Sequence, residues 1–324
     1  MASPIVCVLK GKDGKDGVRL AVDYRYVNRY TLGDAFPGTD MENLIQKIGQ
    51  SNWISTFDVK GEYWQIEIKP EHQWLTAFVW YGGLYEFTRA PFGQKNSGNT
   101  FMRAVQQILN PLRHFAANYV DDMSFFSKCW TGHLEHLDKF LQAIKKSGLT
   151  LNLKKCCFAQ KEVRFVGRIV GLGQQRPDPQ RLTAIEKMKA PETKKQLRQI
   201  LGFFSYFREY IPNFAELAKP LTDLTSKRVP MCIPWGLEQS KAPQDLKKKL
   251  CLATVNSLQI IDFTEPLAIH VDASEYAVAA TLTMPAEDST QKPIAFISAK
   301  LTSAQKAWST IEKEAYAAVW ALKH

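Results

Sequence analysis

Three carboxylates are the residues of this chain best suited to chemistry: the neighbours Asp121 and Asp122 in Tyr119-Val120-Asp121-Asp122, and Asp58 far upstream in Ser55-Thr56-Phe57-Asp58-Val59-Lys60. Phe115 to Val120 and Met123 to Phe126 are strand-forming runs, so the spacing predicts a hairpin with Asp121 and Asp122 at its tip. Adjacent acids at a tight turn repel each other unless a cation lies between them. Alone, such a pair is more often a solvated turn, because Asp is a favoured turn residue. Asp58 changes that weighting. It ends a strand-like run beginning at Trp53, and the intervening chain is long enough for neighbouring strands to bring it beside the hairpin tip. Three converging carboxylates with few other ligands suit Mg²⁺, which keeps several waters and takes its remaining oxygens from phosphates. Two such ions about 3.5–4 Å apart activate an attacking hydroxyl and stabilise the leaving oxygen of an in-line displacement. The chemistry implied is nucleotidyl transfer.

The elements that must position these acids follow from pattern. Pro4 to Leu9 and Val18 to Val22 read as two strands around a glycine- and lysine-bearing loop. Leu44, Ile45 and Ile48 share one face of a helix from about Met41 to Ile48, stopped by Gly49. Tyr63 to Ile68 alternates, with Trp64, Ile66 and Ile68 on one side, as a half-buried strand does. Trp74 to Trp80 and Leu84 to Phe87 flank Tyr81-Gly82-Gly83 as a hairpin, and Asn99 to Leu109 reads as a helix ended by Asn110-Pro111. After the acid hairpin, Leu134, Leu137, Leu141 and Ile144 recur at helical spacing between a capping Thr131 and a stopping Gly148. This order of elements predicts an antiparallel sheet with helices on one face, an α+β fold.

A composition break at Gly171-Leu172-Gly173 through Pro177 and Pro179 marks a boundary. Thr193-x-x-Gln196 is a capping box opening a helix with Leu197, Leu201, Phe204 and Phe207 on its apolar face; Lys194, Lys195 and Arg198 are expected to be exposed nucleic-acid contacts. A Pro-rich stretch from Lys227 to Pro243 reads as a connector. Leu267 to Val271, Ala277 to Met284 and Ile294 to Ile297 restart a sheet, and Thr302-x-x-Gln305 caps a helix expected to bury Trp308, Ile311, Ala315 and Val319.

A length of 324 residues suggests roughly two domains, and 45% hydrophobic with 23% charged residues is the composition of an ordinary globular protein. The formal charge of +10 favours a polyanionic partner. The excess is clustered: Lys145, Lys146, Lys154, Lys155, Lys161, Arg164 and Arg168 face the single acid Glu162 over that stretch. Such a segment suits a phosphate backbone and makes binding salt-dependent. Six scattered cysteines without a C-x-x-C pair point to a reducing compartment rather than a disulfide framework or a zinc site. His133 and His136 are expected on a solvated helix face. Pro4 to Leu9 is too short for a signal h-region, and no run approaches a membrane span.

Several motifs, in order along the chain, resemble those of reverse transcriptases. Phe57-Asp58-Val59-Lys60 followed by Tyr63-Trp64-Gln65-Ile66 resembles their first carboxylate motif, and Ala90-Pro91-Phe92-Gly93-Gln94-Lys95-Asn96 their template- and nucleotide-positioning motif. Tyr119-Val120-Asp121-Asp122 is similar to their YxDD box; Leu151-Asn152-Leu153-Lys154-Lys155-Cys156 and Phe165-Val166-Gly167 are similar to the next motif and the primer grip. Leu201-Gly202-Phe203, Tyr206-Phe207-Arg208 and Ile211-Pro212-Asn213-Phe214 resemble the thumb of gypsy-type LTR retrotransposons. Val271-Asp272-Ala273-Ser274 and Glu312-Lys313-Glu314-Ala315 resemble the first half of the ribonuclease H domain that follows.

The resemblance implies a right-hand polymerase of fingers, palm and thumb, then a truncated α/β ribonuclease H-like domain. It divides the chain into residues 1–170 (fingers and palm), 171–230 (thumb and connection) and 231–324 (incomplete ribonuclease H-like domain). It implies an RNA-directed DNA polymerase from a retrotransposon pol polyprotein. The partners would be an RNA or DNA template with primer and deoxynucleoside triphosphates, the cofactor two Mg²⁺ ions, and the location the cytoplasm or virus-like particles, with no membrane. By the same resemblance Asp58, Asp121 and Asp122 hold or support the metals, and Lys155 protonates the leaving pyrophosphate. Arg19, Val59, Tyr63, Phe92 and Gly93 form the nucleotide site, with Tyr63 excluding a 2′-hydroxyl; Phe165, Val166 and Gly167 grip the primer. Asp272 and Glu314 are half of a ribonuclease H acid set, so no ribonuclease H activity is expected of the chain. Two departures from the family pattern bear on activity. Lys60-Gly61-Glu62-Tyr63 stands where Lys-Ser-Gly-Tyr is usual, and Gly98 stands in place of a proline. They leave open a second reading, a catalytically inactive nucleic-acid-binding relic.

Overall fold

Short apolar runs build five sheets among the described residues, and helical periodicity builds the layers against them. The computed structural model describes residues 2–9, 17–186, 190–226, 229–230, 233–285 and 290–324. They form two compact units that join between Val163 and Arg164.

In the first unit β1 (Ile5–Leu9) and β2 (Val18–Val22) pair as a hairpin, followed by α1 (Arg25–Tyr30) and α2 (Met41–Gly49). Asp40 caps α2 by accepting from the amides of Glu42 and Asn43, and Leu44, Ile45 and Ile48 are buried as predicted. β3 (Trp53–Asp58) is an interior strand of the sheet β6-β7-β3-β8. Its partners are β6 (Ala116–Tyr119), β7 (Asp122–Ser127) and β8 (Cys157–Gln160). Between β3 and β6 lie β4 (Phe78–Trp80) and β5 (Gly83–Tyr85), a separate hairpin, and α3 (Ser97–Leu109); α4 (Trp130–Ser147) follows β7. Phe57, Met123 and Phe125 from the strands join Phe101 and Val105 of α3 and Phe140 and Ile144 of α4 in one buried core. Because side chains alternate across a strand, Asp58 and Asp122, each next to one of these core residues, point to the opposite face.

Four expectations fail in this unit. Tyr63 to Ile68 is not a strand: Glu62–Gln65 is a 3₁₀ turn, entered through Gly61 at φ +73 and Glu62 at φ +39. On α4, Leu134 and Leu141 are exposed, and the buried residues are His133, Phe140 and Ile144. Thr131 lies inside α4, whose N-cap is Cys129. His133 is therefore a core histidine rather than part of a solvated face. It bridges Ser55 Oγ (2.9 Å) and Ser127 Oγ (3.0 Å), and Ser127 Oγ also meets His136 Nδ1 at 2.7 Å.

The second unit carries the sheet β12-β11-β10-β9, formed by β9 (Glu162–Phe165, which crosses the join), β10 (Arg168–Gly171), β11 (Gln174–Pro177) and β12 (Leu258–Gln259). Gly171-Leu172-Gly173 turns between β10 and β11. The helices are α5 (Pro179–Glu186), α6 (Lys194–Tyr206), α7 (Phe214–Leu217), α8 (Lys219–Asp223) and α9 (Leu237–Ala253), which begins inside the predicted connector. The Thr193–Gln196 capping box is present, and Leu197, Leu201, Phe204 and Phe207 are buried as predicted. Lys194 is not exposed: its ammonium is buried and donates to the carbonyls of Ser226 (2.7 Å) and Val229 (2.5 Å). Arg168 is likewise buried, paired with Glu209 at 2.7 Å. Neither cation is available to phosphate.

β13 (Ala268–Ala273), β14 (Ala277–Pro285) and β15 (Gln291–Lys300) form the last sheet in the order β13-β14-β15. The predicted helix is broken into α10 (Ser303–Lys306) and α11 (Thr310–Lys323), each with its own capping box. That break rotates the buried face: Ala317, Trp320 and Ala321 are inside, whereas Trp308, Ile311, Ala315 and Val319 are exposed. Among the described residues no helix is long and apolar enough to cross a membrane.

Candidate active site

The register of β3 against β7 runs from Trp53↔Ser127 to Asp58↔Asp122, so two acids distant in sequence are direct cross-strand partners. β6 pairs with β7 from Ala116↔Phe125 to Tyr119↔Asp122, which leaves Val120 and Asp121 as a two-residue turn. Val120 takes φ +57, a left-handed conformation that costs a β-branched residue about 1–3 kcal/mol. The core beneath holds this geometry: the Phe57 ring stacks on Phe125 (5.5 Å between centroids) and on Phe140 (4.5 Å). The predicted hairpin with acids at its tip, and Asp58 beside it, is what the chain builds.

The acids feel one another. The Asp122 carboxyl is pushed above the usual range first by desolvation, then by Asp121 and Asp58, with Lys155 opposing. Although Asp122 is exposed by residue area, protein atoms crowd its carboxyl closely enough for desolvation to lead. Glu62 is also raised, by desolvation and then by Asp121 and Asp58, and its side chain hydrogen-bonds Asp121. The residue that departs from the family pattern thus joins the cluster as a fourth carboxyl. Lys155 Nζ stands 3.0 Å from Asp58 Oδ2, and this contact is the main cause of its own raised pKa. Among the described residues no three His, Cys, Asp or Glu side chains are grouped so as to hold a metal ion. The backbone brings the acids together, and the Asp58 side chain is turned toward Lys155.

Around the acids, Tyr63 packs edge-on against Phe92 (5.1 Å) and Phe101 (5.8 Å). Gly93 adopts φ +93, open to glycine at little cost. The Val59 backbone bridges antiparallel to Leu151. Arg19 lies on β2; its side chain, like residues 10–16 of the preceding loop, falls outside what the structure describes. Two positioning residues escaped the sequence reading. Asn28 donates to Gly93 O and accepts from Lys95 N, both at 2.8 Å, fixing the Phe92–Gly93 loop. Gln65 donates to Thr150 O (3.0 Å) and accepts from Thr150 N (2.7 Å), pinning the turn that carries Tyr63. Only contacts across long sequence separations reveal either role.

In the second unit, Phe165 is buried at the end of β9, and Val166 (φ +46) with Gly167 (φ +74) makes the turn into β10. Tyr206 Oη donates to Val166 O, and Asp178 N to Gly167 O at 3.1 Å. Asp272 lies exposed on β13 opposite Ala279, and Glu314 lies exposed on α11.

The family model described as "Reverse transcriptase (RNA-dependent DNA polymerase)" matches residues 9–170, and the "RNase H-like domain found in reverse transcriptase" matches 235–324. The chain is 35% identical to the retrovirus-related Pol polyprotein from transposon 297 of Drosophila melanogaster, over 99% of its own length and 30% of that protein. It is 34% identical to the corresponding polyprotein from transposon opus of the same organism, over 99% of its own length and 33% of that protein. It therefore spans about a third of these curated relatives. Among solved structures, it resembles the foamy viral protease-reverse transcriptase dRH in complex with ds DNA (TM-score 0.88, 28% identity, 99% of this chain and 55% of that one). It also resembles the foamy viral enzyme in complex with RNA/DNA hybrid (TM-score 0.81, 28% identity, 99% and 42%). With acids paired across β3 and β7 and a family model covering this half of the sequence, the chain belongs to the reverse transcriptase family.

Proposed function

We propose that the chain is an RNA-directed DNA polymerase module of a retrotransposon pol polyprotein, extending a primer 3′-OH on an RNA or DNA template with deoxynucleoside triphosphates. The observation that carries this reading is the Asp58↔Asp122 pairing with Asp121 on the adjoining turn. Asp58 and Asp121 would hold two Mg²⁺ ions, with Asp122 in support and the Val59 carbonyl as a further oxygen. When bound, such ions activate the primer hydroxyl and stabilise the leaving oxygen. The donor set suits a hard cation, since it is all oxygen and carries excess negative charge; the Asp58 side chain would have to leave Lys155 first.

The remaining roles fall to positioning. Phe92 and Gly93 line the nucleotide pocket, Arg19 approaches the triphosphate, and Tyr63, braced by Phe92 and Phe101, excludes a 2′-hydroxyl. Lys155 protonates the leaving pyrophosphate. Phe165, Val166 and Gly167 contact the primer strand; the strained turn at Val166 and Gly167 supports a role in close backbone approach. We assign residues 1–170 to fingers and palm, 171–230 to thumb and connection, and 231–324 to a ribonuclease H-like region that includes Asp272 and Glu314. The setting is cytoplasmic.

Primer extension on an RNA template with deoxynucleotides and Mg²⁺ tests the reading. Extension by the parent and none by Asp121→Asn is expected, with ribonucleotides incorporated only after Tyr63 is replaced by a smaller residue. Binding of primed template with no extension by either protein would leave a nucleic-acid-binding relic instead.

A further inference from the structure

Lys155 is the cation that the acid cluster already holds. The segment that carries it leads into β8 alongside the end of β3: Asn152 N donates to Asp58 O at 2.8 Å, Lys155 N to Asn152 O at 2.9 Å, and Cys157 pairs with Thr56. The backbone therefore delivers the Lys155 ammonium to Asp58, rather than a long side chain finding it by chance. The contact is a single N–O approach of 3.0 Å, with the lysine side chain 64% exposed and that of Asp58 23% exposed. An open, one-point pair of this kind is weak and easily exchanged. Around it stand Asp121, Asp122 and Glu62, which together carry more negative charge than one ammonium can offset. A divalent ion binds several carboxylate oxygens at once, whereas the Lys155 ammonium here makes its close contact with Asp58.

We propose that Lys155 is a placeholder counter-ion, holding Asp58 in the absence of metal and yielding it when a divalent ion enters. The lysine thereby sets the metal affinity of the site. This inference rests on the polymerase reading for the identity of the site and goes beyond it in giving Lys155 a role before catalysis. It accounts for the Asp58 side chain being turned toward Lys155.

The test is Mn²⁺ binding to the full chain without nucleotide, followed by the electron paramagnetic resonance signal of free Mn²⁺. Lys155→Met and Lys155→Gln should bind roughly two- to fivefold more tightly than the parent, the fold-change that corresponds to losing an exposed pair. Lys155→Arg should stay near the parent. Adding Lys155→Met to Asp58→Asn should give no further tightening, because the pair is already broken. A second readout is thermal unfolding: Lys155→Met should melt below the parent without metal and gain more from added Mg²⁺. Equal or weaker Mn²⁺ binding by both charge-removing variants overturns the proposal. So does tightening by Lys155→Arg to the same extent, or an absence of Mn²⁺ binding in every variant. Primer extension is no part of this test. A chain that binds Mn²⁺ as described yet never extends a primer sinks only the polymerase reading, and one that extends with unchanged Mn²⁺ affinity sinks only this inference.

Discussion

The two units hold their acids in opposite ways. Asp58 ends a strand flanked by β7 on one side and β8 on the other, and the face behind it is buried against α3 and α4. Asp272 sits on β13, the edge of a three-stranded sheet, with β14 on one side only and most of its residues exposed. The helix entries reverse the contrast. In the second unit α6, α10 and α11 each open with a complete capping box, from Thr193, Thr302 and Ser309. In the first, Asp40 caps α2, but α3 and α4, the helices packed behind the acids, open at Asn96 and Cys129 with no side-chain cap bond. Rigidity at the first site is supplied by strand order and core, while in the second unit local caps fix the helices around an acid with little support. An acid clamped by neighbours on both sides can be aimed; one on an open edge needs a further partner to be held.

Three measurements would break or sharpen that comparison. The largest effect is expected from the acids. Asp58→Asn should lower primer extension by at least about a hundredfold, the scale of losing a group that stabilises transition-state charge. Asp272→Asn should leave extension within twofold of the parent. Similar losses from both would mean that the edge acid serves the same chemistry and that the contrast is mistaken.

The core beneath the first sheet should respond to acid. Burial, followed by the neighbouring His136, lowers the His133 pKa from 6.5 to about 4. The unfolded chain therefore takes up a proton on this residue at higher pH than the folded one does. Its contribution is fully present above pH about 6.5 and is lost as pH falls toward 4, on the order of 3 kcal/mol in all. Protection of the β3 and β7 amides, measured relative to their intrinsic exchange rate at each pH, should fall as pH drops across that window, and His133→Gln should flatten the dependence. A pH profile that is unchanged in the variant would assign the acid sensitivity elsewhere.

The smallest effect concerns the uncapped entry of α3. A methyl group at Gly98 would meet only the Tyr63 hydroxyl, at an ordinary 3.6 Å, and the residue has no left-handed φ to preserve. Gly98→Ala should then stabilise the chain by about 0.5–1 kcal/mol in denaturant unfolding. Destabilisation would show that the slack beside Tyr63 is required.

Much of this was legible in the sequence, and the failures have two causes. The hairpin, the approach of Asp58, the α+β arrangement and two capping boxes follow from local pattern and spacing. Tyr63 to Ile68 imitates a strand through Trp64, Ile66 and Ile68, but Gly61 and Glu62 force the left-handed entry that starts a 3₁₀ turn. On α4 the leucine spacing found Leu137 and Ile144, which meet the core, but missed that His133 and Phe140 complete the buried face in place of Leu134 and Leu141. On α11 a second cap at Ser309 restarts the helix and shifts its phase. Lys194 was read as a phosphate contact because its burial depends on carbonyls more than thirty residues away. His133 and Lys194 were decided by distant partners that no local window contains, whereas the Gly61–Glu62 entry and the Ser309–Glu312 cap are local signals that the longer apolar patterns masked.

Gln65 has a consequence of its own. By both giving and taking a hydrogen bond with the Thr150 peptide, its carboxamide impersonates a backbone group and adds a rung where no strand exists. That rung splices the turn carrying Tyr63, the proposed sugar gate, to the segment that leads into Lys155. A slip of one by a residue would drag the other out of alignment, so the two proposed roles, at the sugar and at the ion, would stand or fall together.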